Sequence, residues 1–412
     1  MKRIMLSVFA AAVTAAWAVP ASATDVTFSG QYRGRGEYRE NATNFDDDTN
    51  DTAASMTQRV RLTANAEAAE DTTVKITLQD TRTFGQAGDG ALSGTLTDFS
   101  SNNMVDLHEA YLNLEKIFGT PVNFRVGRQE LNYGDERLIG SFGWSNNGRA
   151  FDGLKFNYAQ DGINVDLFRM TIAEDSSVVT NDDVTLTGVY ATLGGLIPNN
   201  TIDLYAINKN GNDSEILNFY TIGARLKGAV AGADYTLEVP YQFGEMNDGA
   251  GSDLDLSAWA FAAKVGYTIP GAPMNIRIGA EYDYATGDDD STDDDIDTFQ
   301  ALYPTNHAHF GIGDFTTATN RWSNIQAWSI NAGADVIEKL RLYVAYWDYS
   351  LAEENSAGDD DLGSEIDLIA TYKYSNNVSI EAGASRFMPD DATATSPDDA
   401  ADWAYLQITA NF

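Results

Sequence analysis

The chain has 412 residues, a formal net charge of −35 and no cysteine. The lack of cysteine excludes disulfide bonds, thiolate nucleophiles and Cys-ligated zinc. The acidity argues against nucleic acid as a partner, because nucleic-acid binding needs a basic face.

The N-terminus predicts secretion. Two basic residues, Lys2 and Arg3, precede a run of apolar residues that leads to an A-x-A cleavage site ending at Ala23, which is the pattern of a signal peptide. We therefore expect a signal peptide at residues 1–23 and a single mature domain at residues 24–412. No later stretch contains the roughly 18 consecutive apolar residues of a transmembrane helix.

From Val26 onward apolar and polar side chains alternate, which is typical of a β-strand with two different faces. In the first segment Val26, Phe28 and Tyr32 occupy one face, whereas Arg33 and Arg35 occupy the other. Eighteen segments of this kind can be counted, most of them near the ~9–11 residues of a tilted membrane strand. They cover residues 26–39, 56–68, 72–82, 104–115, 121–130, 150–159, 162–172, 184–194, 200–208, 216–228, 232–243, 255–268, 273–286, 324–334, 338–350, 364–374, 377–388 and 401–412.

The connections between the segments alternate strictly between long and short. Long connections, such as residues 131–149 and 287–323, alternate along the chain with short ones, such as residues 160–161 and 375–376. Long extracellular loops opposite short periplasmic turns, with an even number of strands, describe a bacterial outer-membrane barrel. The sequence therefore predicts an all-β fold, a transmembrane antiparallel β-barrel of about 18 strands in the outer membrane of a Gram-negative-type bacterium. Pro240 lies inside one segment and predicts a bulge or an earlier strand end there.

The last segment ends the chain on an aromatic residue. Its apolar face ends with Ile408, Ala410 and Phe412, and we expect Phe412 to be recognised by the barrel-insertion machinery. With both ends of the barrel in the periplasm, the first and last strands can pair and remove the exposed edges that lipid does not tolerate.

Acidic residues concentrate in the long connections, for example at Asp46–Asp48, Asp288–Asp290 and Asp359–Asp361. We expect these loops to be solvated. An alternative is weak binding of divalent cations that bridge to lipopolysaccharide, since oxygen ligands suit calcium, although the loops lack the spacing of a calcium-binding loop. No other cofactor is expected, and the partners expected from the barrel are outer-membrane lipid and lipopolysaccharide.

Basic residues instead fall on the polar faces of the early strands, where Arg33, Arg35, Arg59 and Arg61 are predicted to face inward. If Arg39 pairs near position 56 or 57, Arg35 lies beside Arg59 or Arg61, and opposed like charges destabilise a sheet. Two interpretations remain open. The arginines are neutralised by acidic partners in an internal ladder, or they attract anions into the lumen. The acidic partners considered are Glu37, Glu67 and Glu109.

Nothing in the sequence favours an enzyme. The three histidines are not accompanied by a serine in a recognisable catalytic arrangement, and no phosphate-binding glycine loop is present. His307 and His309 form an H-x-H pair, which alone is a weak signal for a metal site.

Two blocks of sequence carry a family resemblance. Residues 124–156 contain GRQ, YG, RL, W and R-x-F-D-G in order, and residues 285–315 contain Y-P-T-N-H followed by F-G and D-F. Both blocks resemble the alginate-export family of outer-membrane β-barrels. A base that is usual in the second block of that family is replaced here by Ala308.

The resemblance implies a channel with inward-folded loops and an arginine-lined, anion-tolerant constriction. A passive porin for small, polar or anionic solutes is the function expected first. Export of an acidic polysaccharide such as alginate is an alternative, and a structural scaffold for an extracellular partner is another. The residues predicted to line the pore or its constriction are Arg33, Arg35, Arg59, Arg61, Glu109, Arg125, Arg137, Arg149 and Lys155.

Overall fold

The computed structural model describes residues 25–85, 105–174, 183–213, 216–247, 253–290, 292–315, 322–394 and 398–412. The predicted signal peptide lies outside these residues and stays a prediction. The strands of the described part are β1 (Val26–Glu40), β2 (Ala53–Ala69), β3 (Thr72–Thr83), β4 (Asp106–Leu114), β5 (Val122–Gln129), β6 (Phe151–Gln160), β7 (Ile163–Ala173), β8 (Val184–Gly194), β9 (Asn200–Asp213), β10 (Ile216–Val230), β11 (Ala233–Asn247), β12 (Asp253–Thr268), β13 (Arg277–Ala285), β14 (Asp295–Ile296), β15 (Ile325–Ile337), β16 (Leu340–Ser350), β17 (Asp361–Lys373), β18 (Val378–Pro389) and β19 (Ala401–Asn411).

Eighteen of these strands form one closed antiparallel barrel, as predicted. Each strand pairs with its neighbour in sequence, and β1 also pairs with β19, with Gln31 opposite Asn411. Strand β14 is a two-residue segment in the connection after β13, and it pairs in parallel with β12 outside the barrel order. Closure leaves no unpaired sheet edge facing lipid.

The described residues also contain three single-turn 3-10 helices, at Ile117–Gly119, Pro273–Asn275 and Asn306–Ala308. No helix in this part of the chain is long and apolar enough to cross a membrane.

The alternation of the sequence becomes the two faces of the wall. Phe28 and Leu62 point outward and are 80% and 50% exposed, whereas Arg33, on the inward face of the same wall, is 4% exposed. Apolar side chains outside and polar ones inside are what a lipid-embedded, water-filled barrel requires.

The hydrophobic core lies inside the barrel, where two connections fold into the lumen. We call residues 130–150, between β5 and β6, the lumen loop, and residues 286–324, between β13 and β15, the second loop. Ile139 of the lumen loop and Phe299 and Trp322 of the second loop are buried. They pack in one cluster with wall residues such as Met170. The interior is thus packed across its width by the two loops.

Two local expectations were wrong. The chain passes through Pro240 without a bulge or an early end, because Pro240 pairs in register with Gly223 on β10 and only the β12 side of the ladder lacks pairs at that point. The register of the first hairpin also differs, because Arg39 pairs with Ala53. Arg33 therefore stands opposite Arg59, and Arg35 does not.

The topology predicts which connections are reachable from outside the cell. Thr49 lies in a long connection and Ser375 in a short turn at the other end of the barrel. Because the chain has no cysteine, Thr49→Cys should react in intact cells with a membrane-impermeant thiol reagent, and Ser375→Cys should react only after the outer membrane is permeabilised. The reverse labelling pattern would show that the barrel has the opposite orientation in the membrane.

Candidate functional site: a loop held across the lumen

The lumen loop is bound on one side by the arginines of β1 and β2. Arg33 donates to the backbone carbonyls of Gly143 and Ser145, at 2.9 Å each. Arg59 donates to the same two carbonyls, at 3.0 and 2.9 Å. Among the described residues neither guanidinium has a carboxylate oxygen within 4.0 Å. The opposed like charges of this pair are thus stabilised by carbonyl dipoles of the loop.

A three-layer stack attaches the lumen loop next to this pair. The guanidinium of Arg35 lies 4.0 Å from the ring centre of Trp144, and the ring of His307, from the second loop, stacks on Trp144 at 3.8 Å. Arg35 also donates to the carbonyl of Trp144 and pairs with Glu37 at 3.1 Å. His307 Nδ1 lies 2.8 Å from an Asp314 oxygen. The stack joins the wall to both loops.

On the opposite wall the lumen loop supplies the arginine. Arg137 pairs with Glu281 and, at 2.9 Å, with Asp283, both on β13, and all three side chains are buried. Burial alone would lower the pKa of Arg137, but Asp283 and Glu281 raise it above its ordinary value. Arg137 therefore keeps its positive charge at neutral pH.

In a second contact with that wall, the lumen loop supplies the carboxylate and the wall supplies the arginine. Asp135 of the lumen loop pairs at 2.5 Å with Arg225 on β10, which also pairs with Asp203 at 2.7 Å. Partial burial would raise the pKa of Asp135, but Arg225, with a smaller effect of Lys227, lowers it below its ordinary value. The loop is thus anchored to both walls and crosses the lumen.

The two loops are joined by backbone hydrogen bonds. Tyr303 N donates to the carbonyl of Leu138 at 2.7 Å, and Gly140 N donates to the carbonyl of Tyr303 at 2.9 Å. Arg149 donates to the carbonyls of Tyr303 and, at 3.1 Å, of Pro304. The two sequence blocks that carry the family resemblance are therefore in direct contact inside the barrel.

Arg61 and Glu109 belong to a polar cluster beside the start of the lumen loop. Arg61 donates to Gln79 at 2.7 Å and pairs with Glu130 at 3.2 Å. Gly148, in a left-handed conformation at φ +66°, passes so close to Arg61 that a Cβ there would lie 2.5 Å from the guanidinium. Glu109 pairs with Lys75 at 2.5 Å. Both charged residues are thus compensated by neighbours.

Arg125 and Lys155 lie nearer the periplasmic end. They are opposite each other on β5 and β6, where Arg125 stacks on Tyr111 at 4.2 Å and Lys155 pairs with Asp166 at 2.9 Å. Both line a polar recess of about 340 Å³. The nine predicted residues therefore do not form one ring. Arg33, Arg35, Arg59 and Arg61 contact the lumen loop from the wall. Arg137 and Arg149 belong to that loop, and Glu109, Arg125 and Lys155 lie around them. Their role in conduction stays a prediction.

Of the predicted acidic partners, Glu37 pairs with Arg35 and Glu109 with Lys75, whereas Glu67 has no ion pair among the described residues.

Beside the loops lie two adjoining cavities of about 590 and 270 Å³. Both are lined by Lys264, His307, Ala308 and His309. The larger one also reaches Arg33. We call the two cavities together the lumen chamber.

The two histidines of the H-x-H pair do not converge. His309 Nε2 donates to the backbone carbonyl of Asp135 at 2.8 Å, whereas His307 contacts Asp314. Burial lowers the pKa of His309 well below its ordinary value, with a smaller effect of the Arg137 charge. Within the described ranges no group of three or more acidic or histidine side chains is placed to hold a metal ion.

The sequence profile described as "Alginate export" matches residues 24–406. The chain belongs to the alginate export family. A comparison with curated protein sequences gives no match.

Solved structures of similar shape are porins and related barrels. OccAB3 of Acinetobacter baumannii is 13% identical with a TM-score of 0.67, covering 94% of this chain and 99% of that chain. OpdO of Pseudomonas aeruginosa is 14% identical with a TM-score of 0.65 and coverages of 94% and 97%. A BenF-like porin from Pseudomonas fluorescens Pf-5 is 13% identical with a TM-score of 0.63 and coverages of 94% and 98%. At these identities the likeness concerns the fold.

Family and fold together make this protein a porin-like barrel of the Gram-negative outer membrane. That localisation was predicted from the loop pattern and is confirmed. The sequence reasoning missed the second wall, where Asp203, Arg225, Glu281 and Asp283 hold the lumen loop. The signal was present, since these charged residues occupy inward positions that alternate with apolar outward ones.

Removing the anchor on the second wall should loosen the lumen loop. Arg137→Gln leaves Asp283 without its cation and Glu281 with Lys264 alone, at 3.0 Å, and breaking a buried ion pair costs about 3–5 kcal/mol. We expect a higher and noisier single-channel conductance in planar bilayers, with a shift toward cation selectivity. Arg82→Gln, which removes an exposed arginine paired with Asp80 on the outer face, is the matched control and should conduct like the wild type. If Arg137→Gln conducts like the wild type, the ion pair of Arg137 does not hold the lumen loop.

The Asp135 anchor gives a pH dependence of known sign. Its pKa is lowered in the folded protein, so its contribution is complete above the ordinary carboxyl value of about 3.9 and is lost as pH falls through the lowered pKa. The contribution of this anchor to conductance should therefore be constant between about pH 5 and 8, and conductance should rise below about pH 4 as the anchor is lost. Asp135→Asn should conduct at neutral pH as the wild type does in acid. A main step near pH 6 would point to histidine instead.

Proposed function

We propose that this barrel is a passive channel for small polar solutes with a preference for anions. The observation that carries the proposal is the lumen loop, which is tied to both walls and borders the lumen chamber. Solutes must pass beside a fixed loop, so the route admits small molecules. Supporting this, cavities of about 590 and 270 Å³ are near the range of small-molecule sites.

The preference for anions rests on which charges are compensated. The carboxylates of Glu281, Asp283 and Asp203 each have an arginine partner. Among the described residues, Arg33 and Arg59 have only carbonyls and amide oxygens as partners. In a confined lumen with an effective dielectric near 20, two unit charges about 5 Å apart interact by roughly 3 kcal/mol, so an uncompensated pair strongly biases which ions enter.

Acidic groups moderate this bias. Glu136 and Glu381 also line the larger cavity, where they accept hydrogen bonds from Thr305 and Tyr405 at 2.5 and 3.0 Å. Glu365 and Asp367 on β17 are buried, and Glu365 accepts the N–H of Gly313 in the second loop at 2.8 Å. Asp367 also lines the smaller cavity of the lumen chamber. The selectivity is therefore a preference for anions and not an exclusion of cations.

Export of an acidic polysaccharide is the second candidate function, and membership of the alginate export family favours it. A polymer needs a continuous groove, which requires the lumen loop to move. Liposome swelling separates the two candidates. Small solutes such as arabinose and gluconate should enter liposomes that hold the wild-type barrel, and an alginate oligomer should not. Rapid entry of the oligomer favours the exporter, and no swelling with any solute favours a scaffold.

The charge of the arginine pair should set ion selectivity. Arg33→Gln with Arg59→Gln should shift the reversal potential in a KCl gradient toward cations, because the uncompensated positive charge is gone. The matched control is Arg33→Lys with Arg59→Lys, which keeps the charge but cannot reproduce the forked contacts to two carbonyls. It should keep the anion preference even if the loop loosens. If both double variants shift the potential equally, the arginines act only by holding the loop.

A further inference from the structure

One pair from the first family block faces away from the lumen. Arg128 at the end of β5 bonds Asp152 at the start of β6, with the two charged atoms 2.6 Å apart. Their side chains are 38% and 58% exposed, and they stand on the same outward face as Val126 and Leu154. Neither the lumen loop nor the proposed transport function uses this pair.

A second arginine lies nearby on that face. Arg169 on β7 is exposed on the same side as Leu167, and its contact is a hydrogen bond to the Thr187 hydroxyl at 3.2 Å. Asp152 is opposite Thr171, two residues from Arg169 along β7. No carboxylate lies within 4.0 Å of Arg169 in the part of the chain that the structure describes. The patch formed by Arg128, Asp152 and Arg169 therefore has one positive charge in excess.

The patch lies low on the wall. Three apolar residues, Val122, Phe124 and Val126, precede Arg128 on the outward face of β5, which corresponds to roughly 20 Å of strand. With a strand tilt near 40°, Arg128 stands about 15 Å above the start of β5. This height is less than the ~25 Å apolar band of such barrels. The outward apolar stretch on the other side of the barrel is longer, since β12 carries five outward apolar residues from Tyr267 to Trp259 before Ser257.

A cation that faces lipid at this depth needs an anionic partner. The patch has two arginines, and Asp152 is its one carboxylate. Phosphate is the partner that fits, because the planar guanidinium forks match its oxygens, and the neighbouring hydroxyls of Thr171 and Thr187 can donate further hydrogen bonds. The outer leaflet of this membrane presents phosphate groups at the glycolipid headgroup.

From this geometry we propose that the patch is a binding site for the phosphorylated headgroup of lipopolysaccharide. Arg128 and Arg169 hold a phosphate, and Asp152 orients Arg128 and limits the net charge of the site. The short apolar band on this side draws the headgroup down toward the two arginines. This site is independent of what passes through the lumen.

The test uses the purified full-length barrel in detergent, with bis-phosphorylated lipid A as the probe and native mass spectrometry as the readout. Arg128→Gln with Arg169→Gln should weaken binding about tenfold or more, since two charge-assisted contacts are lost. Asp152→Asn should bind at least as tightly as the wild type, because it removes the competing carboxylate. Arg386→Gln is the matched control, since Arg386 also pairs with an aspartate, Asp402, on the outward face.

Enzymatically dephosphorylated lipid A should bind the wild type as weakly as phosphorylated lipid A binds the double variant. Heat-modifiable migration in gels verifies that each variant is folded. Equal binding of both lipids, or an unchanged affinity in the double variant, would overturn the site. A change of oligomeric state in the double variant without a change in lipid affinity would assign the patch to a contact between copies of the barrel and also overturn it.

Discussion

The interior of this barrel depends on two arginines that would repel each other if they stood alone. Arg33 and Arg59 face one another across the first hairpin, and directly opposed like charges weaken a sheet. Two backbone carbonyls of the lumen loop, at Gly143 and Ser145, accept hydrogen bonds from both. Wall and loop therefore stabilise each other, because the loop carbonyls accept hydrogen bonds from the two charged groups and those groups satisfy the carbonyls.

The remaining contacts extend this dependence across the lumen. On the far side the polarity is mixed, with Arg137 of the loop on acidic β13 and Asp135 of the loop on Arg225 of β10. Charges of both signs on one short loop fix its orientation, since a rotated loop would place like charges together. The second loop adds backbone pairing and the ring of His307. The two loops and the wall thus form one packed core.

The barrel could be predicted from the sequence because it rests on local rules. Alternation defines each strand, and the lengths of the connections define the order and the sides of the membrane. The contacts of Arg137 could not be predicted in this way, because they join residues far apart in sequence whose proximity depends on the path of a loop without periodicity. The first hairpin shows the intermediate case. Its strands were recognised, but its register depends on the loop conformation, so Arg35 was expected beside Arg59 or Arg61 and instead Arg33 stands there.

The stack on Trp144 has a consequence for assembly. Trp144 contacts Arg35 of the first strand and lies edge-on to Tyr405 and Trp403 of the last one. These are the two strands whose pairing turns an open sheet into a cylinder. The complete binding surface for this tryptophan therefore exists only after the chain's two ends have met, so the loop can settle fully only in a finished cylinder. Once seated, the loop contacts both strands of this seam, so separating β1 from β19 also breaks the contacts of Trp144.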